Sequence, residues 1–303
     1  MLNSSTLTET RYDGKLVVQM FKELLPVQIL SSVVPYLASI ANGVVVGNAL
    51  SAEAIIALGL VSPMTNLFGA IASIIAGGAK ILSGRYIGRG EHDKLNNVFS
   101  CALMAAFFIG VILTVGVFIF ANPIAVLLGA KEIATAETTF YIRGIALGII
   151  PTLMIPSFTV FLQMGNESTY ALLATVLLAA SNLVGDILCV KVIGGGMFAI
   201  GIATAISQFI AIAFLVIRFI QKEDLMKFSV KYFIKSLTKD LIILGSPTAI
   251  AILLYAIRNA IFNIQVIKWG GEIAASANSI VNLMIGPFDG INVGVGATVL
   301  MLA

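Results

Sequence analysis

The sequence predicts an all-α integral membrane protein: a six-helix N-terminal bundle, followed by the first two helices of a second, repeated bundle. Three observations carry that prediction. Hydrophobic residues make up 59% of the chain and charged residues only 11%, against about 25% charged in soluble domains. Eight apolar stretches approach or exceed the roughly 20 residues that a helix needs to cross a ~30 Å hydrocarbon core. The last two stretches repeat features of the first two.

The elements follow in order. Residues 1–21 are polar and mixed in charge. They read as a retained cytoplasmic segment, because a cleaved signal would carry a short apolar core before small residues. Span one, 21–48, contains Pro26, Pro35 and Asn42. Its prolines remove backbone donors and can bend a helix, which makes Pro26 a candidate hinge. Spans two and three are expected at 54–82 and 95–121, span four at 140–163, span five at 170–192 and span six at 197–220. Together, 22–221 form the first lobe. A basic inter-lobe loop occupies 222–239. Spans seven and eight, 241–267 and 273–303 with a short loop between them, begin the second lobe at 240–303.

Charge divides the connections into two sides. Arg11, Lys15 and Lys22 precede span one; Lys80, Arg85, Arg89 and Lys94 surround the connection after span two; Arg218, Lys222, Lys227, Lys231, Lys235 and Lys239 follow span six. The alternate connections hold only Lys131, Arg143, Lys191 and Lys268. Basic loops stay cytoplasmic, so the N-terminus and the inter-lobe loop are expected inside, in a plasma (inner) membrane. These basic runs read as topology rather than as a nucleic-acid surface. Cys101 and Cys189 lie on separate spans without the paired spacing of a disulfide or metal framework. His92, between Glu91 and Asp93, reads as a solvated loop residue, and no cluster suggests an enzyme.

The repeat agrees with the charge pattern. Pro26 and Asn42 recur as Pro247 and Asn263 at an offset of 221; Gly78, Ala79 and Leu82 recur as Gly296, Ala297 and Leu300 at 218. Six helices followed by a parallel second copy is a transporter architecture, with the substrate path between the halves. The expectation is one complete half and the start of another, ending within span eight.

Polar residues converge at one depth. Asp186 follows Asn182 by one helical turn, so the two share a face of span five. Thr204 lies about two turns into span six, and Asn42 nearly two turns before the outer end of span one. At ~1.5 Å per residue, these groups lie roughly 9–18 Å below the outer ends of their spans. They meet in one layer if spans one, five and six adjoin. A carboxylate, two amides and a hydroxyl supply oxygen ligands for a hard cation such as Na+. The same pocket suits a proton carrier, because burial disfavours the charged form of a carboxyl group. The plain structural reading is that the amides only join helices and that Asp186 is neutral glue.

Several motifs resemble a known family. The run Gly77-Gly78-Ala79 to Ser83, then Gly88 and Gly90, is similar to the second helix and following loop of the multidrug and toxic compound extrusion (MATE) family. Gly165-Asn166 before span five, and Asn182, Asp186, Ala203-Thr204 and Ser207-Gln208, resemble its fifth and sixth helices. The resemblance implies twelve helices in two lobes that rock between outward-open and inward-open states. It also implies exchange of a cationic drug for Na+ or H+, no cofactor, and a coupling site at Asp186, Asn182 and Thr204. Asn42 departs from the pattern: members often carry an aspartate there, five residues before a glycine, here Gly47. With one carboxylate in place of two, coupling rests on Asp186, and Asn42 serves as a neutral wall.

The expected function is a cation-coupled antiporter for amphipathic, often cationic organic compounds. Gln208, Arg258 and Asp289 are further candidates for cavity-facing positions, the last two acting separately because their depths differ. Two alternatives stand beside it. A lipid-linked saccharide flippase of related fold would line its cavity with Arg or Lys, which spans one to six nearly lack. A non-transporting membrane fragment would match a chain that stops in span eight.

Overall fold

The computed structural model describes residues 14–49, 52–130, 133–222 and 226–302, so Arg11, Lys131 and Ala303 lie outside the described residues. The chain is helical, with no strand among the described residues. Helix α1 (Gly14–Ala49) is followed by α2 (Ala52–Gly88), α3 (Asp93–Ile119) and the short α4 (Ala121–Leu127). Next come α5 (Ile133–Ala146), α6 (Ile149–Met164), α7 (Ser168–Leu188), α8 (Met197–Gln221) and α9 (Lys235–Leu302). Large apolar side chains cover the outside, among them Phe107, Phe108, Ile112 and Ile119 on α3. So broad an exposed apolar surface suits hydrocarbon rather than water. This is a multi-pass membrane protein. Among the described residues, five helices are long and apolar enough to cross, covering 18–45, 57–88, 93–119, 168–193 and 197–221.

Span four departs from expectation. The single helix predicted at 140–163 is a broken crossing: α5 and α6 meet at an angle of 48°. The break falls at Leu147 and Gly148, and Pro151 then takes a place in the first turn of α6, where its missing N–H leaves no hydrogen bond unmade. Packing explains its direction. Gly144 and Gly148 press against α8 so closely that a Cβ on Gly144 would lie 2.7 Å from Gly201 Cα, and one on Gly148 2.9 Å from Ala205 Cα. Small residues let membrane helices approach backbone to backbone. On the other side of α6, an aromatic cluster ties α3, α6 and α8 together. Phe99 stacks on Phe219 with centroids 5.0 Å apart and meets Phe161 edge-on at 4.9 Å. Such pairs add about 0.5–1.5 kcal/mol beyond area burial.

Residues 235–302 are arranged differently from the prediction. Helical hydrogen bonding runs without interruption from Lys235 to Leu302, through the short loop expected between 267 and 273. Membrane-depth backbone must satisfy its own polar groups; continued helix does this where an open loop does not. Sixty-eight residues at ~1.5 Å each exceed one ~30 Å crossing about threefold, so α9 holds enough helix for both predicted spans. Its early part packs backbone to backbone on α2, with Gly78 against Leu241 and Gly245 against Ile74. Its later part packs on α1, where a Cβ on Gly294 would lie 2.6 Å from Ile29 Cα.

The expected loop 222–239 is also shorter and more fixed than predicted, because α9 starts at Lys235. The stretch before it, which includes a single 3-10 turn at Val230–Tyr232, crosses the start of α3. The Lys227 N–H donates to Asn96 Oδ1 at 2.7 Å, Ser229 N–H to Ser100 Oγ at 3.1 Å, and Ile234 N–H to Cys101 Sγ at 3.2 Å. Cys101 thus anchors a loop; it and Cys189 are free thiols. This end of the molecule collects Arg85, Arg89, Lys94, Lys227, Lys231 and Lys235.

Candidate functional site

Three of the predicted polar residues join in one chain of hydrogen bonds. Asn42 Nδ2 on α1 donates to Asn182 Oδ1 on α7 at 2.6 Å, and Asn182 Nδ2 donates to Thr204 Oγ1 on α8 at 3.2 Å. The Thr204 hydroxyl donates back to Ile200 O at 3.1 Å, which fixes its orientation. Asn182 is buried, while Asn42 and Thr204 are half-buried. Asp186 lies one turn beyond Asn182 and is only 1% exposed. The helices that sequence reasoning needed side by side are therefore adjacent.

Two acceptors in this cluster have nothing to accept. Asp186 Oδ1 and Asn42 Oδ1 are buried without a hydrogen-bond partner. An unmatched buried acceptor costs about 1–3 kcal/mol, and a proton or small cation would remove that cost. Directly after Asp186, α7 loosens into a π-helical segment, Cys189–Ile193, closed by Gly194 at φ +64°. A glycine tolerates that left-handed conformation, and π-turns inside helices are frequent at functional sites.

A fifth residue belongs here that sequence reasoning missed. The Tyr141 side chain lies beside Thr204 and within the electrostatic reach of Asp186. The Gly144–Gly201 approach holds α5 against α8 and thereby delivers Tyr141, one turn before Gly144. The signal was present as a tyrosine three residues before a glycine in an apolar span. Without knowledge that α5 adjoins α8, it resembled any interfacial aromatic.

The remaining candidates lie apart from this chain of contacts. Gln208 follows Thr204 by one turn on α8 and is half-buried. Pro26 is exposed on α1, which continues through both of its prolines. Arg258 is exposed on α9, beside Leu254, Ile257 and Ile261. Asp289 is half-buried on α9 next to Gly290, which packs on Ser32 of α1.

A second polar cluster stands at the basic end. Glu167, which opens α7 after Asn166 at φ +60°, pairs with Lys222 and with Arg218 at 2.9 Å. The Arg218 guanidinium lies 3.9 Å from the centroid of the Tyr170 ring. The Lys222 ammonium, hydrogen-bonded to the Glu167 carboxylate, holds it below the usual carboxylate range; Arg218 acts in the same direction, against partial burial.

Comparison with known proteins matches this architecture. The MatE family model matches residues 28–188, which include Asn42, Tyr141, Asn182 and Asp186. The Multidrug export protein MepA of Staphylococcus saprophyticus is 25% identical over 216 residues, covering 70% of this chain and 46% of that protein. A crystal structure of a MATE protein in complex with MaD3S superimposes with a TM-score of 0.83 at 22% identity, over 92% of this chain and 64% of that one. A MOP superfamily transporter from Pyrococcus furiosus superimposes with a TM-score of 0.81 at 22% identity, over 92% and 63%. The chain spans about half to two-thirds of the length of these relatives. Because the family match covers more than half of the chain and the fold agrees, the protein belongs to the MatE family, the multidrug and toxic compound extrusion transporters.

Proposed function

We propose that this chain forms the N-terminal lobe and the opening helices of the second lobe of a cation-coupled antiporter. Its cargo would be amphipathic, often cationic organic compounds, exported by alternating access between the two lobes. Residues 22–221 would constitute the first lobe, in a plasma (inner) membrane with the N-terminus cytoplasmic. The reading is carried by one observation: a buried carboxylate, Asp186, whose Oδ1 lacks a partner, beside the Asn42–Asn182–Thr204 chain. MepA, a multidrug export protein, supports the substrate class.

In this proposal Asp186 takes up Na+ or H+ from one side. Asn182 is already committed through both ends of its amide, so it orients Asn42 and Thr204 instead of competing for the ion. Asn42 contributes its free carbonyl oxygen. Tyr141 lines the same pocket beside Thr204. Neutralising Asp186 removes the cost of an unpaired buried charge, which lets α7 and α8 pack in a different arrangement from the ion-free one. The organic cation leaves as the coupling ion enters. Pro26 and Gln208 would act at the hinge and cavity wall, and Arg258 and Asp289 along the second lobe.

The test is ion-driven dye movement by the purified chain in proteoliposomes. The unmodified chain is expected to move dye when a Na+ or pH gradient is applied, and Asp186→Asn is expected to stop this while circular dichroism and elution stay unchanged. Dye movement that survives in Asp186→Asn overturns the coupling assignment. No gradient-driven movement by the unmodified chain favours the non-transporting fragment.

A further inference from the structure

We propose that the groove between α3, α6 and α8 at the basic end of the lobe binds an anionic phospholipid, its acyl chain among Met104, Phe107, Phe108 and Met154 and its phosphate between Lys222 and Lys227. This site is separate from the Asp186 cluster and independent of the transport reading.

The groove has a volume of about 840 Å³, within the range of ligand sites of roughly 300–1,000 Å³. Among the described residues every lining residue is apolar except two, Lys222 and Lys227. Its floor is the Phe99–Phe158–Phe219 cluster, and its flank, Phe107 and Phe108, is exposed in the apolar band of α3. One wall is the stretch 226–230, pinned across α3 by the Lys227 and Ser229 backbone N–H groups. Among the described residues the site is preformed: apolar along its length, with the Lys222 and Lys227 ammonium groups at one end, and open sideways to hydrocarbon.

That distribution selects the occupant. A cationic amphiphile would bring its charge against two ammonium groups. A zwitterionic lipid offers its phosphate to them but brings a cation of its own, so it gains less. An anionic headgroup gains both, and basic pockets between helices on the side predicted to be cytoplasmic are where such headgroups bind. Lys222 already pairs with Glu167, but an ammonium carries three donors and retains two for a phosphate. Glu167 is itself paired with Arg218 and Lys222, leaving it a weak competitor. Glu223 and Asp224, between the lysines in sequence, lie outside the described residues and stay unchanged in every variant below.

Native mass spectrometry of the purified full chain tests this, titrating phosphatidylglycerol and phosphatidylcholine with identical acyl chains. Phosphatidylglycerol is expected to bind about tenfold more tightly, as two lysines near a headgroup imply. Lys222→Gln with Lys227→Gln should abolish that preference. Met104→Trp, which fills the groove, should weaken both lipids, and Phe108→Ser serves the same purpose should the tryptophan variant fail to fold. The proposal is overturned by equal affinities in the unmodified chain, or by a preference that survives the double lysine variant. It is equally overturned if chainless glycerophosphoglycerol displaces the whole lipid at equal concentration, or if tetraphenylphosphonium binds the groove in preference to phosphatidylglycerol.

Discussion

Asn182 is held at both ends of its amide, which accepts from Asn42 and donates to Thr204. Replacing it with alanine removes two hydrogen bonds and leaves the Thr204 and Asn42 groups without their shared partner. At about 1 kcal/mol per bond, Asn182→Ala should lose about 2 kcal/mol, read as a lower thermal midpoint in detergent. Tyr141→Phe is gentler: the ring stays packed and only the hydroxyl beside Thr204 and Asp186 goes. It should retain the fold and weaken coupling-ion affinity, measured by ion-dependent quenching or transport. Glu167 gives a pH prediction with a definite sign. Its folded carboxyl is more acidic than in the unfolded chain, so its stabilisation is present above the unfolded value of about 4.3 and disappears as pH falls through the lower folded value. The advantage of the unmodified chain over Glu167→Gln, on the order of 1 kcal/mol at neutral pH for a partly solvated pair, should vanish on acidification well below pH 4. A midpoint difference that is flat with pH contradicts this.

Among the helices, glycines decide which ones touch. Gly144 on α5 and Gly201 on α8 each occupy the space that a Cβ of the other would need. Gly144→Val must push α5 away from α8 and carry Tyr141 off Thr204. Overpacking of this kind costs typically 1–3 kcal/mol, and the variant should lose thermal stability and ion response together. The crossing of α2 and α9 is tighter still. Gly245→Ala would drive a methyl group into the Ile74 carbonyl and Gly78→Ala one into that of Leu241, so either change should disfavour the arrangement in which these helix ends meet. Cysteines placed on α2 and α9 at this crossing should cross-link less readily in Gly245→Ala than in the unmodified background. The broken crossing at Gly148 was not visible in the hydropathy of 140–163, which is largely apolar on both sides of the break. Only the neighbours of the glycines show that the chain must turn there.

At the level of the whole molecule, composition and charge asymmetry set the environment and orientation. The stretch 226–235 lies at the end that gathers the basic residues, and that end is predicted to face the cytoplasm. A Lys231→Cys variant should therefore resist a membrane-impermeant maleimide in intact cells and react after permeabilisation; labelling of intact cells reverses the topology. Membership of an all-helical membrane family was legible in the sequence, because a span must be apolar over a bilayer's thickness and such runs cannot hide. The Asn42, Asn182, Asp186 and Thr204 set was legible too, since polar groups at that depth are costly and stand out against apolar neighbours. Tertiary structure alone decided three things: the bend between α5 and α6, the place of Tyr141, and the lysine-ended groove on the flank. Each depends on which helix faces which, and in hydrocarbon that choice is made by the fit of small side chains between backbones, a property of pairs of helices that no single stretch of sequence displays.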